Sequence, residues 1–141
     1  MKPNDLRVSD LMATAVLSVK GSDAIEVAEE TMHAAGIRHL PVVDDRFHVV
    51  GILSNRDLLP MAGKRGAAKR RVGEIMTHQV VTVRPSTPAA EAAAKMLQFK
   101  IGSLPVVGED EVLVGVITET DFLRLAHRAL RHGTEPRHDW R

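Results

Sequence analysis

Two short stretches place a hydroxyl residue three positions before a carboxylate, at what reads as a strand-to-helix corner. They are GILSNRD, Gly51 to Asp57, and GVITETD, Gly115 to Asp121. Two chemistries suit this spacing. Ser54 and Thr118 take the N-cap position, and Asp57 and Asp121 complete an acidic variant of the reciprocal capping box, worth about 1 kcal/mol per cap. The same arrangement serves binding. Amides and a hydroxyl at a helix start attract phosphate, and a carboxylate accepts hydrogen bonds from both hydroxyls of a ribose. Gly51 and Gly115 would then let a flat base or sugar approach the backbone. Turnover fits less well: a serine nucleophile needs a base within hydrogen-bond reach, and neither copy pairs its hydroxyl with a histidine at fixed spacing.

The remaining polar residues narrow the chemistry further. The chain of 141 residues has seven histidines and no cysteine, so thiol catalysis, disulfides and thiolate metal sites are excluded. His33, His39 and His48 are scattered, and His127 and His132 lack the i,i+4 spacing of a helix-borne zinc pair. No protein-encoded metal site is expected, and magnesium would arrive only with a bound polyphosphate. The opening MKPNDLRVSD is too polar for a signal peptide and no apolar run is long enough to span a membrane, so a cytoplasmic setting is expected. The formal charge of +1 gives no general reason to bind nucleic acid. Phe47, Phe99, Phe122 and Trp140 are too few for a stacking platform. The basic connector MAGKRGAAKRR, 61–71, is a solvated segment or a docking patch, and the C-terminal RHGTEPRHDWR is a polar end.

The elements that must position the two corners are themselves duplicated. Shifted by 64 positions, the chain lies over itself without a gap. VSDLM (8–12) falls on VGEIM (72–76), AVLSVKGS (15–22) on QVVTVRPS (79–86), GIRHLPVV (36–43) on KIGSLPVV (100–107), and VVGILSNRDLL (49–59) on LVGVITETDFL (113–123). An internal repeat of this quality governs the fold assignment. In each unit a short β-branched run, VLSV or VVTV, precedes a helical stripe: Ile25, Ala28, Met32 and Ala35, then Ala89, Ala92, Ala93 and Met96. Asp23 with Glu26 would cap the first helix and Gly36 end it, while Thr87 would cap the second with Pro88 at its first position. Two strand-like runs joined by polar turns at 44–47 and 108–111 follow, then a closing helix near 55–62 and near 119–129, the first shortened by Pro60. The expected fold is α+β, two tandem β-α-β-β-α units packed sheet to sheet with pseudo-twofold symmetry around a shared core. The units span 7–62 and 72–128, with a basic linker at 63–71 and a polar tail at 129–141.

Two copies carrying a leading DLM or EIM, a central LPVV and a closing G-h-h-[ST]-x-x-D (h is apolar) resemble a tandem pair of CBS domains, the cystathionine-beta-synthase-type or Bateman module. The resemblance covers 7–128 and leaves little room for a catalytic domain, so a stand-alone, non-enzymatic pair is expected. It implies adenine nucleotides or adenosyl compounds (AMP, ADP, ATP, an NAD-like ligand or S-adenosylmethionine) bound in clefts between the repeats. By the same resemblance Ser54, Asp57, Thr118 and Asp121 stand near ribose and phosphate. Thr14, Ala15 and Val16, with His78, Gln79 and Val80, resemble the backbone that reads the adenine edge. Gly36, Ile37, Arg38 and His39, with Lys100, Ile101, Gly102 and Ser103, resemble the lining of sugar and phosphate. Val16, Ile37, Val80 and Ile101 would either sandwich a purine or pack in the core.

The copies differ where phosphate would matter. Arg38, His39 and Arg56 become Gly102, Ser103 and Thr120, so two unequal sites are expected, the basic one preferring a phosphorylated ligand. The alternative for Arg38 and Arg56 is a surface pair with Asp44, Asp45 or Asp57. Which half supplies which wall is open. A regulatory sensor working through an effector protein or a homodimer of pairs is the leading expectation. For the dimer, Leu58, Leu59 and Met61 with Phe122, Leu123 and Leu125 offer apolar surface. The alternatives are an interaction module with empty clefts, and a nucleic-acid binder using Lys64, Lys69, Arg70 and Arg71.

Overall fold

The structure is a computed structural model and describes residues 3–133. The end of the polar tail, with Trp140, lies outside the described residues. The first half runs α1 (Val8–Leu11), β1 (Val19–Lys20), α2 (Ile25–Ala35), β2 (His39–Val43), β3 (Val49–Ser54) and α3 (Asn55–Leu58). A single 3-10 turn, Leu59–Met61, follows α3, because Pro60 cannot donate the bond that would continue an α-helix. The second half repeats this order as α4 (Val72–Ile75), α5 (Ala89–Phe99), β4 (Ser103–Val107), β5 (Leu113–Thr118) and α6 (Glu119–Gly133). Without a proline in its first turns, α6 continues past residue 128 into the stretch read as tail.

The two hairpins share one geometry. Val42 pairs with Gly51 and Val43 with Val49, leaving Val50 as a bulge. At the same register Val106 pairs with Gly115 and Val107 with Leu113. The opening β-branched runs contribute less than their composition suggests. Only Val19–Lys20 joins the first sheet, of order β1-β2-β3, while Val83 alone bridges Val106 beside the two-stranded β4-β5 sheet. The residues ahead of both runs are drawn away to the opposite half.

That crossing organises the molecule. The leading segment of the first half pairs with the second, Ala13 bridging Val116, and the leading segment of the second half pairs with the first, Thr77 bridging Ile52. Arg7 and Arg71 anchor these excursions identically, their Nη1 donating to the Ser86 carbonyl at 2.7 Å and the Ser22 carbonyl at 2.8 Å. The crossing segments also satisfy the orphan amides of the long helices. Ile25 N–H donates to the Arg70 carbonyl and Ala89 N–H to the Leu6 carbonyl, both at 2.8 Å. The expected side-chain caps are therefore absent. Asp23 accepts instead from Lys20 N–H at 2.8 Å, and Thr87 Oγ1 from Arg84 N–H at 2.9 Å, each closing the turn before its helix. Gly36 does end α2 in the left-handed region, φ 66°, where Lys100 stands at the end of α5 with φ 56°.

The interior contains two buried clusters, each drawing on both halves. Val19, Ala28, Met32, Leu40, Val42 and Leu53 form one buried cluster, completed by Val72 and partly buried Ile75 and Met76 of the other half. Val83, Ala92, Met96, Leu104, Val106 and Ile117 form the second, completed by Val8, Leu11 and Met12. Each half is thus unfinished alone. The opposite strand faces carry Pro41, Val43, Pro105 and Val107, all buried, so both faces of each hairpin are covered. The hairpin tips meet where Leu113 N–H donates to the Phe47 carbonyl at 2.9 Å.

The glycines at the two corners answer to this packing and not to a base or sugar. A Cβ on Gly51 would collide with Met76 Sδ and stand 3.1 Å from the Thr77 carbonyl oxygen. On Gly115 it would stand 2.8 Å from Met12 Sδ and 2.9 Å from the Ala13 carbonyl oxygen. The space above each glycine is filled by the crossing segment.

Candidate functional site

At each corner the strand exit and the helix start are locked by the reciprocal bonds expected from the spacing. Asp57 N–H donates to Ser54 Oγ at 3.2 Å and Ser54 N–H to Asp57 Oδ2 at 2.9 Å. Thr118 N–H donates to Asp121 Oδ2 at 2.8 Å, Thr118 Oγ1–H to the same oxygen at 3.2 Å, and Asp121 N–H to Thr118 Oγ1 at 3.4 Å. Capping engages one oxygen of each carboxylate. The second oxygen of Asp57 accepts a long bond from Thr77 Oγ1 at 3.4 Å, and that of Asp121 lies 3.5 Å from Arg124 Nη1.

Register brings the other candidate residues to the same corners. His39 pairs with Ser54, and Asn55 N–H donates to the Arg38 carbonyl at 2.9 Å, so Ile37, Arg38 and His39 stand beside Ser54, Arg56 and Asp57. Ser103 pairs with Thr118 and Glu119 N–H donates to the Gly102 carbonyl at 3.0 Å, so Ile101, Gly102 and Ser103 stand beside Thr118 and Asp121. The opposite half supplies the remaining wall. The Thr77–Ile52 bridge leads His78 and Val80 past the first corner, and the Ala13–Val116 bridge leads Thr14, Ala15 and Val16 past the second. The walls left open by the sequence are therefore supplied crosswise.

The alkyl residues differ in burial. Ile101 packs on the second core cluster, whereas Ile37 stays 36% exposed and belongs to neither. Val16 and Val80 are partly buried.

The charges of the corners differ sharply. Arg38 and Arg56 are exposed and form no ion pair or side-chain hydrogen bond among the described residues. The expected carboxylate partners are engaged elsewhere: Asp44 with His48, Asp45 with Lys20, and Asp57 with the cap and Thr77. His39 has its pKa lowered, chiefly by burial, against the opposing pull of Glu119 and Asp57. Glu119 belongs to the other half, so the two corners sense each other's charge across the seam.

Two residues at the corners are not found by motif spacing. Thr77 reaches Asp57 from the other half, and the carboxylate of Glu119 folds over Gly102, whose Cβ would meet Oε1 at 3.2 Å. The crossing itself leaves one sequence signal, the matching Arg7 and Arg71 ahead of DLM and EIM. Elsewhere, Arg70 pairs with Glu74 at 2.9 Å and Arg71 holds Ser22, so two of the five connector cations are committed to the fold. Among the described residues no group of three or more His, Asp or Glu could hold a metal ion. No described helix is long and apolar enough to cross a membrane.

Two intertwined β-α-β-β-α units, each ending in a capped hydroxyl–carboxylate corner faced by backbone from the other, define a tandem pair of repeated α+β modules. The CBS domain family matches residues 8–61 and 72–128, and the chain belongs to that family as a tandem pair. Members of this kind are non-catalytic regulatory modules. The fold is similar to that of a Vibrio cholerae protein described as an acetoin utilization protein, AcuB, with 35% identity, a TM-score of 0.83, and coverage of 92% of this chain and 96% of that one. CBSX2 of Arabidopsis thaliana, solved in complex with AMP, is 32% identical with a TM-score of 0.77, covering 86% and 96%. The CBS domain pair of protein MJ0100, in complex with 5′-methylthioadenosine and S-adenosyl-L-methionine, is 28% identical with a TM-score of 0.79, covering 87% and 97%. A homoserine O-acetyltransferase of Methanohalobium evestigatum is 36% identical over 84% of this chain, which spans only 24% of that relative.

Proposed function

We propose that the chain is a regulatory sensor for adenosyl ligands, held at the two corners and read out by a partner. The observation that carries this reading is the repeated juxtaposition of a hydroxyl–carboxylate corner with extended backbone from the opposite half. Backbone at Thr14–Val16 or His78–Val80 can read a base edge, and Asp121 or Asp57 can accept from a ribose once its second oxygen is released. Ser54, Arg38 and Arg56 offer a hydroxyl and two free guanidinium groups to a phosphate at the first corner. AMP on CBSX2 and the adenosyl pair on MJ0100 support the ligand class. Magnesium enters only with a polyphosphate.

Because each corner draws on both halves, a ligand changes how the halves sit on one another. Its effect is bounded by its difference in affinity between their arrangements. The output passes, in the cytoplasm, to an effector protein or through a homodimer of pairs. Leu59 and Leu123, which coincide under the repeat, are 70% and 69% exposed and suit such an interface. Leu58 and Phe122 instead pack on the cores.

Calorimetry of the full chain with AMP, ADP, ATP, 5′-methylthioadenosine and S-adenosylmethionine tests the reading. Saturable binding at one or both corners, lost on Asp57→Ala or Asp121→Ala, is the expected result. Absence of binding by every probe at millimolar concentration would defeat it.

A further inference from the structure

The corners carry opposite charge at positions the fold makes equivalent. Asn55 N–H bonds the Arg38 carbonyl in one half and Glu119 N–H bonds the Gly102 carbonyl in the other, so side chains at these four positions occupy corresponding places. In the first half this place holds a free arginine beside an amide, with Arg56 next along. In the second it holds a glycine beside a carboxylate, with Thr120 next along.

Gly102 is not required by its backbone, because its φ lies outside the left-handed region. Its size is what matters. Glu119 Oε1 and Cδ would stand 3.2 and 3.3 Å from a Cβ there, so the missing side chain gives the carboxylate room to lie on the start of β4. Among the described residues no cation pairs with Glu119. The neighbouring Ser103 is 4% exposed and its Oγ, fully buried, has no hydrogen-bond partner. The strand start at the second corner thus presents one carboxylate without an ion-pair partner and one unsatisfied hydroxyl, and the one cation of its lining, Lys100, ends α5 without pairing with that carboxylate. Arg124, further along α6, is turned to Asp121.

We infer that Glu119 sets the ligand class of the second corner, excluding a phosphate beside Gly102 and leaving that corner to an adenosyl compound whose 5′ substituent is neutral or cationic. The phosphorylated ligand is directed to the arginines of the first corner. This rests on the adenosyl reading given above. A carboxylate within several ångströms of a phosphate costs about tenfold in affinity, and the same field favours a sulfonium or ammonium group. The pull of Glu119 on His39 is in keeping with this placement, since it has the carboxylate acting into the seam between halves.

The test uses the full chain with one corner disabled. In an Asp57→Ala background, where only the second corner remains, 5′-methylthioadenosine is expected to bind and AMP to bind about tenfold more weakly. Adding Glu119→Gln should recover AMP by a similar factor while leaving 5′-methylthioadenosine nearly unchanged. The reciprocal change, Asn55→Glu in an Asp121→Ala background, should weaken AMP at the first corner by about tenfold. It tests the same charge by an independent route, with unchanged melting temperature as the fold control. Equal AMP affinity in the Asp57→Ala protein with and without Glu119→Gln, while 5′-methylthioadenosine still binds, overturns the inference and leaves the adenosyl reading standing. Failure of every probe on the unsubstituted chain overturns both.

Discussion

Replacing Gly51 by alanine drives a methyl group into Met76 Sδ, 3.0 Å from Met76 Cγ and 3.1 Å from the Thr77 carbonyl oxygen. Two of the three contacts are with a flexible side chain from the other half, and the third needs only a few tenths of an ångström of give. Overpacking of this kind costs about 1–3 kcal/mol, which for a chain of this length lowers Tm by about 4–12 °C. Met76→Ala alone leaves a small cavity at the edge of the first cluster and costs about 2 kcal/mol. In the double variant the new methyl group occupies part of that cavity, so the loss should fall short of the sum by about 1–2 kcal/mol. Chemical or thermal unfolding of Gly51→Ala, Met76→Ala, Met12→Ala and the two pairings gives the full cycle. The coupling should appear with Met76 and be absent with Met12. Coupling of Gly51 to Met12 instead would mean that each leading segment packs on its own half, and the crossed architecture would be wrong. Gly115→Ala supplies the mirror case, with one difference. Its methyl group would meet the Ala13 carbonyl oxygen at 2.9 Å as well as Met12 Sδ at 2.8 Å, so Met12→Ala relieves it only in part.

Arg38→Ala and Arg56→Ala should each weaken AMP binding by about tenfold to a hundredfold, the worth of a charge-assisted hydrogen bond, without shifting Tm, since neither side chain has a partner among the described residues. Titration microcalorimetry and a melting curve on the same samples check both halves of that statement. Burial holds His39 below its ordinary value of 6.5, so its neutral form is favoured in the fold. Between the lowered value and 6.5 the unfolded chain binds more protons than the folded one. Stability should therefore fall as pH drops through that window, and His39→Gln should flatten the fall in urea midpoints measured across it. The helix ends give a further comparison. Gly36→Ala, at φ 66°, should destabilise by about 1 kcal/mol, whereas Lys100→Gly, at φ 56°, should stabilise by about 0.5–1 kcal/mol, both read from urea unfolding.

What could be read from residues alone was local or repeated. The overlay of one half on the other identifies the two units, and alternation and helical stripes give their hairpins and long helices. The hydroxyl–carboxylate spacing gives corners whose caps the structure contains. These signals survive in sequence because they depend on neighbours within a turn or a strand pair. The same locality misleads at the helix starts, where Asp23 and Thr87 have the right types for caps. Carbonyls from residues far along the chain take their place, and Asp23 and Thr87 close the preceding turns.

Only tertiary structure decided which half completes which corner and what the corner glycines are for. An apolar run such as VSDLM or VGEIM carries no mark of the partner it packs on, because burial of Val8 or Val72 is favourable against any apolar surface of the right shape. The fit of Met12 and Met76 over glycines in the opposite sheet exists only once the chain is folded. Charge at the second corner was hidden for the same reason. Glu119 reads as an ordinary first-turn residue, and only the fold lays its carboxylate, still exposed, over Gly102.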